Sequence, residues 1–565
     1  MPASKQFKSF EKQADSDAES LVRGKPIRSL ATLLNVGAAM LTLRPQAVDQ
    51  KNLYRRGLGV TKFGYLMPLL READSAFAGV SAYDAMGAWG DEDSNSIAVA
   101  SHLYAYSEFC ECAPFVHRGA FLETSGELHA DLKFPDDRYA EVEHKDIVLS
   151  NLFNAFAAYD GRLNKSWYDE KSAAPGRIAL TEMANKVAEL VPWFHEWYME
   201  LSPLSESAMQ AAVGVSTATF VSFRAACMAL AEFHTSLLAA IFRRIDASDT
   251  NDFSLAIQEE MMNLMAPCWS IEFTHDLIAA LAHIGIDDVE KLMTVYSTVA
   301  GSGDSRAEGF TPPFIASGDN YIFGPVVAQH MMSSRNILYT CIKRNKKHFD
   351  DDVSQHLEPQ LISTASEILS HLDDVQIATN FKWEAGELDM VVYRPSDNAV
   401  LVFEAKAAVA PEGARMVERT EDRIAEGLDQ LDRFSSLTPE QQDEILSDAL
   451  GTTVRNVHVS SFILAWASFG TEAVWSRFNA VTPLNIALMS QLVLTSPKAD
   501  LKTFAILTQA LTNEVMAAAN AQWVDQKRKM GDLSFTSPIL EFNGDALVKY
   551  QMAPYKVLKR NTNWA

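Results

Sequence analysis

Two carboxylates and a lysine stand among apolar residues in the stretch GELDMVVYRPSDNAVLVFEAKAA, residues 386–408. They are Asp389, Glu404 and Lys406. Carboxylates on apolar strands are costly to bury unless a partner or an ion compensates their charge. Mg²⁺ is a natural compensator, because it prefers carboxylate oxygens and retained waters, and an ion held in this way can activate water beside a phosphate ester. Lys406 can then orient or deprotonate that water, or neutralise the charge that develops on the phosphate.

The spacing predicts a hairpin that brings the three side chains together. Fourteen residues separate Asp389 from Glu404, and RPSDNA between them supplies Pro, Asp and Asn for a turn. Side chains alternate faces along a strand, so Glu404 and Lys406 share one face while Phe403 and Ala405 point to the other. Asp389 on the partner strand can join the first face. We therefore expect the polar ends of the three side chains to lie about 4–7 Å apart.

The competing interpretation is a structural ion pair, in which Lys406 binds one of the carboxylates at a sheet edge. The same order of residue types occurs elsewhere, as Asp137, Glu143 and Lys145 in FPDDRYAEVEHK. There the carboxylates are too close together for a hairpin, and no apolar strand carries Glu143. We expect that second set to be a solvated charged segment.

The segment at 386–408 resembles the PD-(D/E)XK, or restriction-endonuclease-like, nuclease superfamily. The resemblance lies in GELD at the second core strand, VFEAK at the third, and a preceding helix with acidic residues. It implies that Asp389 and Glu404 bind a metal ion, Mg²⁺ or Mn²⁺, and that Lys406 is the catalytic lysine. Gly-Glu-Leu-Asp stands where the family name has Pro-Asp, a variation that is common in the family. The resemblance covers about 349–495, roughly a quarter of the chain.

Two further candidates come from the same resemblance. Many members carry an acidic residue on the helix before the strands, which completes the metal shell; here Glu358 and Asp350 are the alternatives. We prefer Glu358 as the third metal ligand because it lies nearer the strand by a plausible number of turns. Asp350 follows an aromatic residue, as in several relatives. Some branches place a Gln on the helix after the third strand, which makes Gln430 a candidate catalytic residue, although an exposed helix Gln is equally ordinary.

The charge of the chain limits how it can bind nucleic acid. A formal charge of −24 argues against a protein that coats nucleic acid through bulk positive charge, but a local basic groove can still serve an enzyme. From residue 498 to the end, nine basic residues stand against six acidic ones. The candidates for phosphate contacts, each equally readable as part of a solvated basic face, are Lys343, Arg344, Lys346, Lys347, Arg415, Arg419, Lys527, Arg528, Lys529, Lys556, Lys559 and Arg560.

The organisation along the chain predicts two parts. Residues 1–310 show apolar residues at helical spacing and hold 26 Lys and Arg against 42 Asp and Glu, a net charge of −16. We interpret them as a mainly helical region for sensing, oligomerisation or regulation. The stretch AGSGDSRAEGFTPPF at 300–314 is the best candidate linker. Residues 316–565, with a core at about 349–495, form the predicted nuclease-like domain.

The second part has the element order of a mixed α/β domain. A helical segment from about 348 to 372 precedes three strand-like runs, VQIATNFKW, LDMVVYR and AVLVFEAKA. A charged helix, ERTEDRIAEGLDQLDRF, and a buried strand, VHVSSFILAWASF, follow, and VTPLNIALM is a further strand or a strand-to-helix turn. We expect a central mixed sheet flanked by helices, which is the restriction-endonuclease-like fold that the resemblance implies.

Composition points to a cytoplasmic protein without a membrane partner. The five cysteines, Cys110, Cys112, Cys227, Cys268 and Cys341, lack the paired spacing of a disulfide framework or a zinc ribbon. The polar N-terminus is no signal peptide. The most apolar long stretch, ATFVSFRAACMALAEFHTSLLAAIFRRI, contains Arg, Glu and His, so we interpret it as a buried helix.

These observations predict a bacterial-type, metal-dependent phosphodiester hydrolase that acts on nucleic acid, with DNA favoured over RNA. The habits of the family suggest defence against foreign DNA or genome maintenance. The helical region would contact a protein partner or form a homo-oligomer. Two other classes stay open, a catalytically inactive nuclease fold used as a scaffold and a helical adaptor protein. The intact set Asp389, Glu404 and Lys406 argues against decay of the site.

Overall fold

The structure is a computed structural model that describes residues 3–43, 62–72, 82–87, 93–153, 156–157, 165–173, 178–247, 255–299, 311–408 and 414–558. It is a mixed α/β protein whose first part is mainly helical, as the sequence predicts.

Apolar residues at helical spacing form the elements of the first part. A 3₁₀ segment, Lys62–Glu72, stands among α-helices. The helices are α1 (Lys5–Val22), α2 (Ile27–Leu43), α3 (Ala82–Gly87), α4 (Asp93–His117), α5 (Asp137–Ser150), α6 (Lys165–Ala173), α7 (Leu180–Trp197), α8 (Glu206–Val213), α9 (Thr217–Ala247), α10 (Leu255–Met265), α11 (Ile271–Ala282), α12 (Ile286–Tyr296), α13 (Pro325–Met331), α14 (Arg335–Arg344) and α15 (Lys346–His348).

Helix α9 is the central helix of this part. By length and composition it could cross a membrane, but most of its apolar stretch is buried inside the protein. Its polar side chains have protein partners: Arg224 bonds Glu200, and Glu232 accepts a hydrogen bond from Gln329 at 3.2 Å. The stretch therefore packs as a core helix, as expected from its Arg, Glu and His residues.

Short strands also occur in the first part, where the sequence shows little strand-like alternation. They are β1 (Leu122–Ser125), β2 (His129–Lys133), β3 (Phe156–Ala157), β4 (Tyr198–Met199), β5 (Cys268–Ser270), β6 (Ser297–Val299), β7 (Phe314–Ser317) and β8 (Asn320–Phe323). Strands β3 and β4 form a two-stranded sheet, and one four-stranded sheet has the order β5-β8-β7-β6.

The second part is built on a five-stranded sheet. Its strands are β9 (Gln376–Trp383), β10 (Gly386–Arg394), β11 (Ala399–Lys406), β12 (His458–Ala465) and β13 (Val481–Asn485), in the order β13-β12-β11-β10-β9. Strands β9, β10 and β11 pair antiparallel, whereas β11, β12 and β13 pair parallel. The predicted hairpin is confirmed, and its turn closes through Asn398 in the left-handed region at φ 47°.

Helices cover both faces of this sheet. They are α16 (Leu357–Leu369), α17 (Ala414–Ser435), α18 (Pro439–Leu450), α19 (Glu472–Trp475), α20 (Ile486–Thr495), α21 (Phe504–Ala519), α22 (Val548–Gln551) and α23 (Ala553–Val557). On one face, the ring of Phe403 stacks on Phe462 at 5.0 Å, and Phe504 of α21 packs against Phe462 at 5.7 Å. The stretch VTPLNIALM is a strand followed directly by a helix, β13 and then α20.

Each part of the protein has its own hydrophobic core, and each core also contains residues from the other part of the chain. Strands β14 (Gln522–Met530) and β15 (Leu533–Glu541) complete a sheet of the first part in the order β1-β2-β15-β14, and β15 pairs parallel with β2. In return, Val148 and Leu149 of α5 and Leu152 pack in the core of the five-stranded sheet.

The domain boundary predicted between residues 310 and 316 stays a prediction. Residues 300–310, most of the predicted linker, lie outside the described residues. After that gap, β7 pairs with β6, and the core of the first part continues as far as Leu357. Packing therefore runs across the predicted linker.

The sheet core generates a first prediction. Phe403→Ala removes a fully buried ring between β12 and the covering helices, so we expect the free energy of unfolding to fall by about 3–5 kcal/mol. Ile506→Ala is the control, because Ile506 is 69 % exposed and its truncation should change that free energy by less than about 0.5 kcal/mol. Urea-induced unfolding followed by tryptophan fluorescence measures both. Equal effects of the two substitutions would contradict the described packing.

Candidate functional site

Strand β11 places a charged pair in the interior of the protein. Glu404 and Lys406 are 1 % and 8 % exposed, and Lys406 Nζ donates to Glu404 Oε1 at 2.6 Å. The two residues share a face because they are two positions apart on a strand. The rest of β11 is buried and apolar. The strand therefore holds both charges in a rigid, poorly hydrated frame.

Strand β10 adds the second carboxylate. Asp389 lies one residue before Met390, which pairs with Phe403, so it faces the Glu404 position on β11. Its Oδ2 accepts a hydrogen bond from the backbone N–H of Ala405 at 2.7 Å, and the residue is 5 % exposed. The three predicted residues thus converge on adjacent strands, as their spacing requires.

The acidic residue of the preceding helix is Glu358. It lies in the first turn of α16, with Oε2 4.0 Å from Lys406 Nζ, and its side chain is 43 % exposed. Asp350 instead pairs with Lys346 one turn earlier in the chain. Of the two alternatives, the structure brings Glu358 to the site, and Glu358 marks the side of the cluster that faces solvent.

Gln430 lies on α17, which packs against β11. Its side chain is half-buried, and no hydrogen bond of its amide is found within the described part of the chain. It is three residues from Gly427, so it shares a helix face with the residue that contacts the charged pair. The side chains of Arg415 and Arg419, at the start of α17, lie outside the described residues.

The electrostatics of the cluster follow from its burial. Burial and the neighbouring Asp389 raise the pKa of Glu404 to about 8, although Lys406 opposes the shift. Burial likewise raises the pKa of Asp389 and of Glu358, again against the effect of Lys406. Burial alone would lower the pKa of Lys406, but the surrounding carboxylates outweigh it and raise that pKa. One ammonium therefore serves three carboxyl groups.

One carboxylate oxygen of the cluster accepts no hydrogen bond. Within the described residues, Glu404 Oε2 is buried and accepts none, while Oε1 binds Lys406, and a side-chain hydrogen bond between Glu404 and Asp389 acts to lower the pKa of Asp389. A buried oxygen on an acid with a raised pKa is suited to receive a proton or a cation. Glu404, Asp389 and Glu358 together offer the carboxylate oxygens that Mg²⁺ and Mn²⁺ accept.

The carboxylates of the cluster surround the ammonium of Lys406 in this arrangement. Across the described ranges, no group of three or more His, Cys, Asp or Glu side chains is spaced to hold a metal ion. The ammonium of Lys406 lies against Glu404 instead. The donor types fit a divalent ion, and the lysine supplies the positive charge in the arrangement seen here.

A glycine on α17 is a part of the site that sequence reasoning missed. A Cβ atom at Gly427 would lie 2.9 Å from Lys406 Cε, 3.0 Å from Ile463 Cδ1 and 3.1 Å from Glu404 Cγ. The signal available in the sequence was a glycine in the interior of a charged, amphipathic helix, where glycine is unfavourable. The contact of Gly427 with Glu404 and Lys406 could not be predicted from sequence spacing alone.

The second acidic set is solvated only in part, so that expectation was wrong for Glu143. Residues 137–150 form α5, in which Asp137 is exposed but the burial of Glu143 raises its pKa to about 8. Asp146 is buried and accepts hydrogen bonds from Ser468 Oγ at 2.6 Å and from the backbone of Phe469 at 2.8 Å. The apolar residues of α5 pack in the core of the five-stranded sheet, and Glu143 and Asp146 are therefore removed from solvent.

The basic residues outside the cluster are divided among several elements. Arg528 pairs with Glu108, whereas Lys527 and Lys529 are exposed on β14, at the edge of its sheet. The remaining candidates include Lys343 and Arg344 in the last turn of α14, Lys346 and Lys347 in α15, and Lys556 in α23. Lys559 and Arg560 fall outside the described residues.

The fold and site define a mixed α/β protein with a buried acid–lysine cluster on a central sheet. Comparisons of the chain with protein-family models, with curated proteins and with solved structures find no match. The chemistry of the cluster must therefore be inferred from its own geometry.

The raised pKa of Glu404 generates a second prediction. Its carboxyl group is protonated in the folded protein up to about pH 8 but ionises near its ordinary value of 4.5 when unfolded. The unfolded chain then binds fewer protons between these values, so the stability of the metal-free protein falls as pH rises through this window. The contribution is at most about 1.4 kcal/mol per pH unit.

The variant Glu404→Gln should lose that part of the pH dependence, because its amide does not titrate. Urea unfolding in EDTA between pH 5 and 9 measures the slope for both proteins. Glu444→Gln, an exposed acid on α18, is the matched control and should keep the wild-type slope. A slope unchanged in Glu404→Gln would show that Glu404 ionises normally.

Proposed function

We propose that the chain is a metal-dependent nuclease of the PD-(D/E)XK type, with Asp389, Glu404 and Lys406 as its catalytic residues. The observation that carries the proposal is the convergence of these three side chains on the β10–β11 hairpin, with Glu358 beside them on the preceding helix. The order of helix, three antiparallel strands, helix and parallel strand around the hairpin supports the restriction-endonuclease-like fold.

In this proposal three carboxylates hold the ion. Asp389, Glu404 and Glu358 would bind Mg²⁺ or Mn²⁺, which supplies an activated water and charge stabilisation at a phosphodiester. Binding requires Glu404 to be ionised and to release Lys406. The ammonium then remains within reach of Glu358, 4.0 Å away, where it can orient the water or neutralise the phosphate in the transition state. Gln430 is a candidate for a further polar contact on the same helix face as Gly427.

The exposed side of the cluster indicates where nucleic acid would approach. Glu358 is the accessible carboxylate, whereas Asp389, Glu404 and Lys406 are buried. Arg423 on α17 lies near enough to lower the pKa of Glu358, and its side chain is 68 % exposed. An exposed guanidinium beside the acidic entrance is suited to bind a phosphate of the backbone.

The wider role follows from the same assignment. We propose a cytoplasmic enzyme that acts on DNA in defence against foreign DNA or in genome maintenance. The helical part, with its net charge of −16, is suited to contact a protein or a second copy of the chain rather than nucleic acid. The helical part contacts the five-stranded sheet directly, because residues of α5 pack in its core and β15 pairs with β2.

One observation favours the non-enzymatic alternative. Lys406 Nζ lies 2.6 Å from Glu404 Oε1, which gives the ammonium a carboxyl partner without a metal. A scaffold with a structural ion pair would need nothing more. In that case, removing Lys406 strands Glu404 and costs roughly 3–5 kcal/mol of stability.

The third prediction separates the two. The purified full-length protein should cleave DNA with Mg²⁺ or Mn²⁺ and not in EDTA. Lys406→Ala should lower kcat by about 10²–10⁴-fold and change substrate affinity little, because the lysine acts on charge that develops in the transition state. Asp389→Asn should also abolish cleavage by weakening the metal site, while its amide oxygen can still accept the hydrogen bond from Ala405.

Lys382→Ala is the matched control, since Lys382 stands on the neighbouring β9 with a side chain 78 % exposed. It should retain wild-type turnover. Thermal unfolding of the metal-free variants completes the experiment. The nuclease proposal fails if the parent shows no metal-dependent cleavage and if Lys406→Ala and Asp389→Asn both lose much of their stability, as a structural ion pair requires.

A further inference from the structure

Gly427 packs closely against the charged pair of Glu404 and Lys406. It is buried on α17, and a Cβ atom there would come within 3.1 Å of side chains from Lys406, Ile463 and Glu404. Contacts under 3.0 Å require an atom to move, and the shortest is to Lys406 Cε at 2.9 Å. Even the smallest side chain would therefore displace part of the site.

Helix propensity makes this glycine costly. In a helix interior glycine is about 0.8–1 kcal/mol less favourable than alanine. Gly427 is well inside α17, which runs from Ala414 to Ser435, and it is neither a cap nor in the left-handed region. The close approach of α17 to β11 provides the physical reason for a residue without a side chain.

The neighbours differ in how easily they can yield. Ile463 is fully buried on β12 beside Glu404, and Glu404 is fixed in the middle of the sheet. The Lys406 side chain is long and flexible, and its Cε is next to the ammonium that binds Glu404. A Cβ at position 427 would therefore move the lysine first, and with it the reactive nitrogen.

We propose that Gly427 is a positioning residue that keeps the space in which the Lys406 side chain lies between Glu404 and Glu358. This inference rests on the proposed nuclease function. Lys406 Nζ is 2.6 Å from Glu404 and 4.0 Å from Glu358, and a cation held by the carboxylates would repel the ammonium from Glu404. Because Gly427 has no side chain, the lysine can move away from Glu404 without moving α17.

The fourth prediction is that Gly427→Ala impairs turnover by displacing Lys406. A displacement of up to about 1 Å at a catalytic group costs about 100-fold in rate, so kcat in Mn²⁺ should fall by that order while KM stays near the wild-type value. Gly285→Ala is the matched control, because Gly285 precedes α12 with an ordinary φ of −70° and nothing lies within 4 Å of an added Cβ. It should keep the wild-type kcat.

A second substitution can restore the lost space. Ile463→Val removes Cδ1, which is one of the atoms that a Cβ at position 427 would meet. We expect Gly427→Ala combined with Ile463→Val to recover part of the lost turnover. A Gly427→Ala kcat equal to that of Gly285→Ala would overturn the proposal, and so would a lowered kcat that Ile463→Val does not restore in part.

A readout that does not depend on activity is the thermal unfolding of the metal-free protein. Gly427→Ala should lower Tm in the wild-type background and lower it less in Lys406→Ala, because the shortened residue has no Cε to clash with. A glycine needed only for packing against the sheet would give the same loss of Tm in both backgrounds. That additive outcome would overturn the positioning role.

The two proposals can fail separately. If the parent protein shows no metal-dependent cleavage, the nuclease assignment falls. The comparison of Tm for Gly427→Ala in the wild-type and Lys406→Ala backgrounds then decides whether Gly427 positions Lys406. If the parent cleaves DNA and Gly427→Ala behaves as Gly285→Ala does in both assays, the nuclease assignment stands and the positioning role is rejected.

Discussion

The buried pair of Glu404 and Lys406 is the constraint around which the second part of the protein is arranged. Removing two such charges from water costs several kcal/mol for each ion, and their mutual attraction repays this only with good geometry and further partners. Here the pair lies on a strand whose other side chains are apolar and fully buried. The buried apolar residues of the sheet offset the free-energy cost of removing Glu404 and Lys406 from water. The stability of the sheet and the charge state of the pair are therefore linked.

Neighbouring elements complete the arrangement. The hairpin is fixed at its turn by Arg394, which is 4 % exposed, donates to the backbone of Asp373 at 2.8 Å and to that of Ala499 at 2.6 Å, and pairs with Asp397. At the other end of the hairpin, α17 closes over the charged pair. That helix is held to the first part of the chain by the 2.8 Å ion pair of Arg118 with Glu421. Position and charge at the site therefore depend on contacts from both parts of the protein.

Much of the second part could be predicted from sequence because its signals are local. Strands β9 to β11 are dense in β-branched and aromatic residues, the turn between β10 and β11 carries Pro, Asp and Asn, and alternation along β11 places Glu404 and Lys406 on one face. The sequence favoured Glu358 over Asp350 only by its distance from the strands, because tertiary packing decides the orientation of both acids. The 4.0 Å approach of Glu358 to Lys406 is a tertiary contact, and spacing does not encode it.

Long-range pairing was equally out of reach. Strand β2 is a five-residue segment, HADLK, in which alternate residues are buried, and nothing in its pattern identifies a partner some 400 positions away on β15. The burial of α5 against the five-stranded sheet has the same origin, since its charged sequence gives only a weak amphipathic signal. These two contacts bring the halves together, and tertiary packing decides which elements they join.

The parallel pairing of β2 with β15 also sets the order in which the chain can mature on the ribosome. Residues 129–131 are synthesised well before the strand that shields them, Ser534–Thr536. The edge of β2 therefore stays open until β15 has emerged, and exposed strand edges favour association with other chains. Closing so long a loop is entropically expensive and slow. A chain interrupted before β15 would therefore leave the edge of β2 unpaired, as an open site for association with other strands.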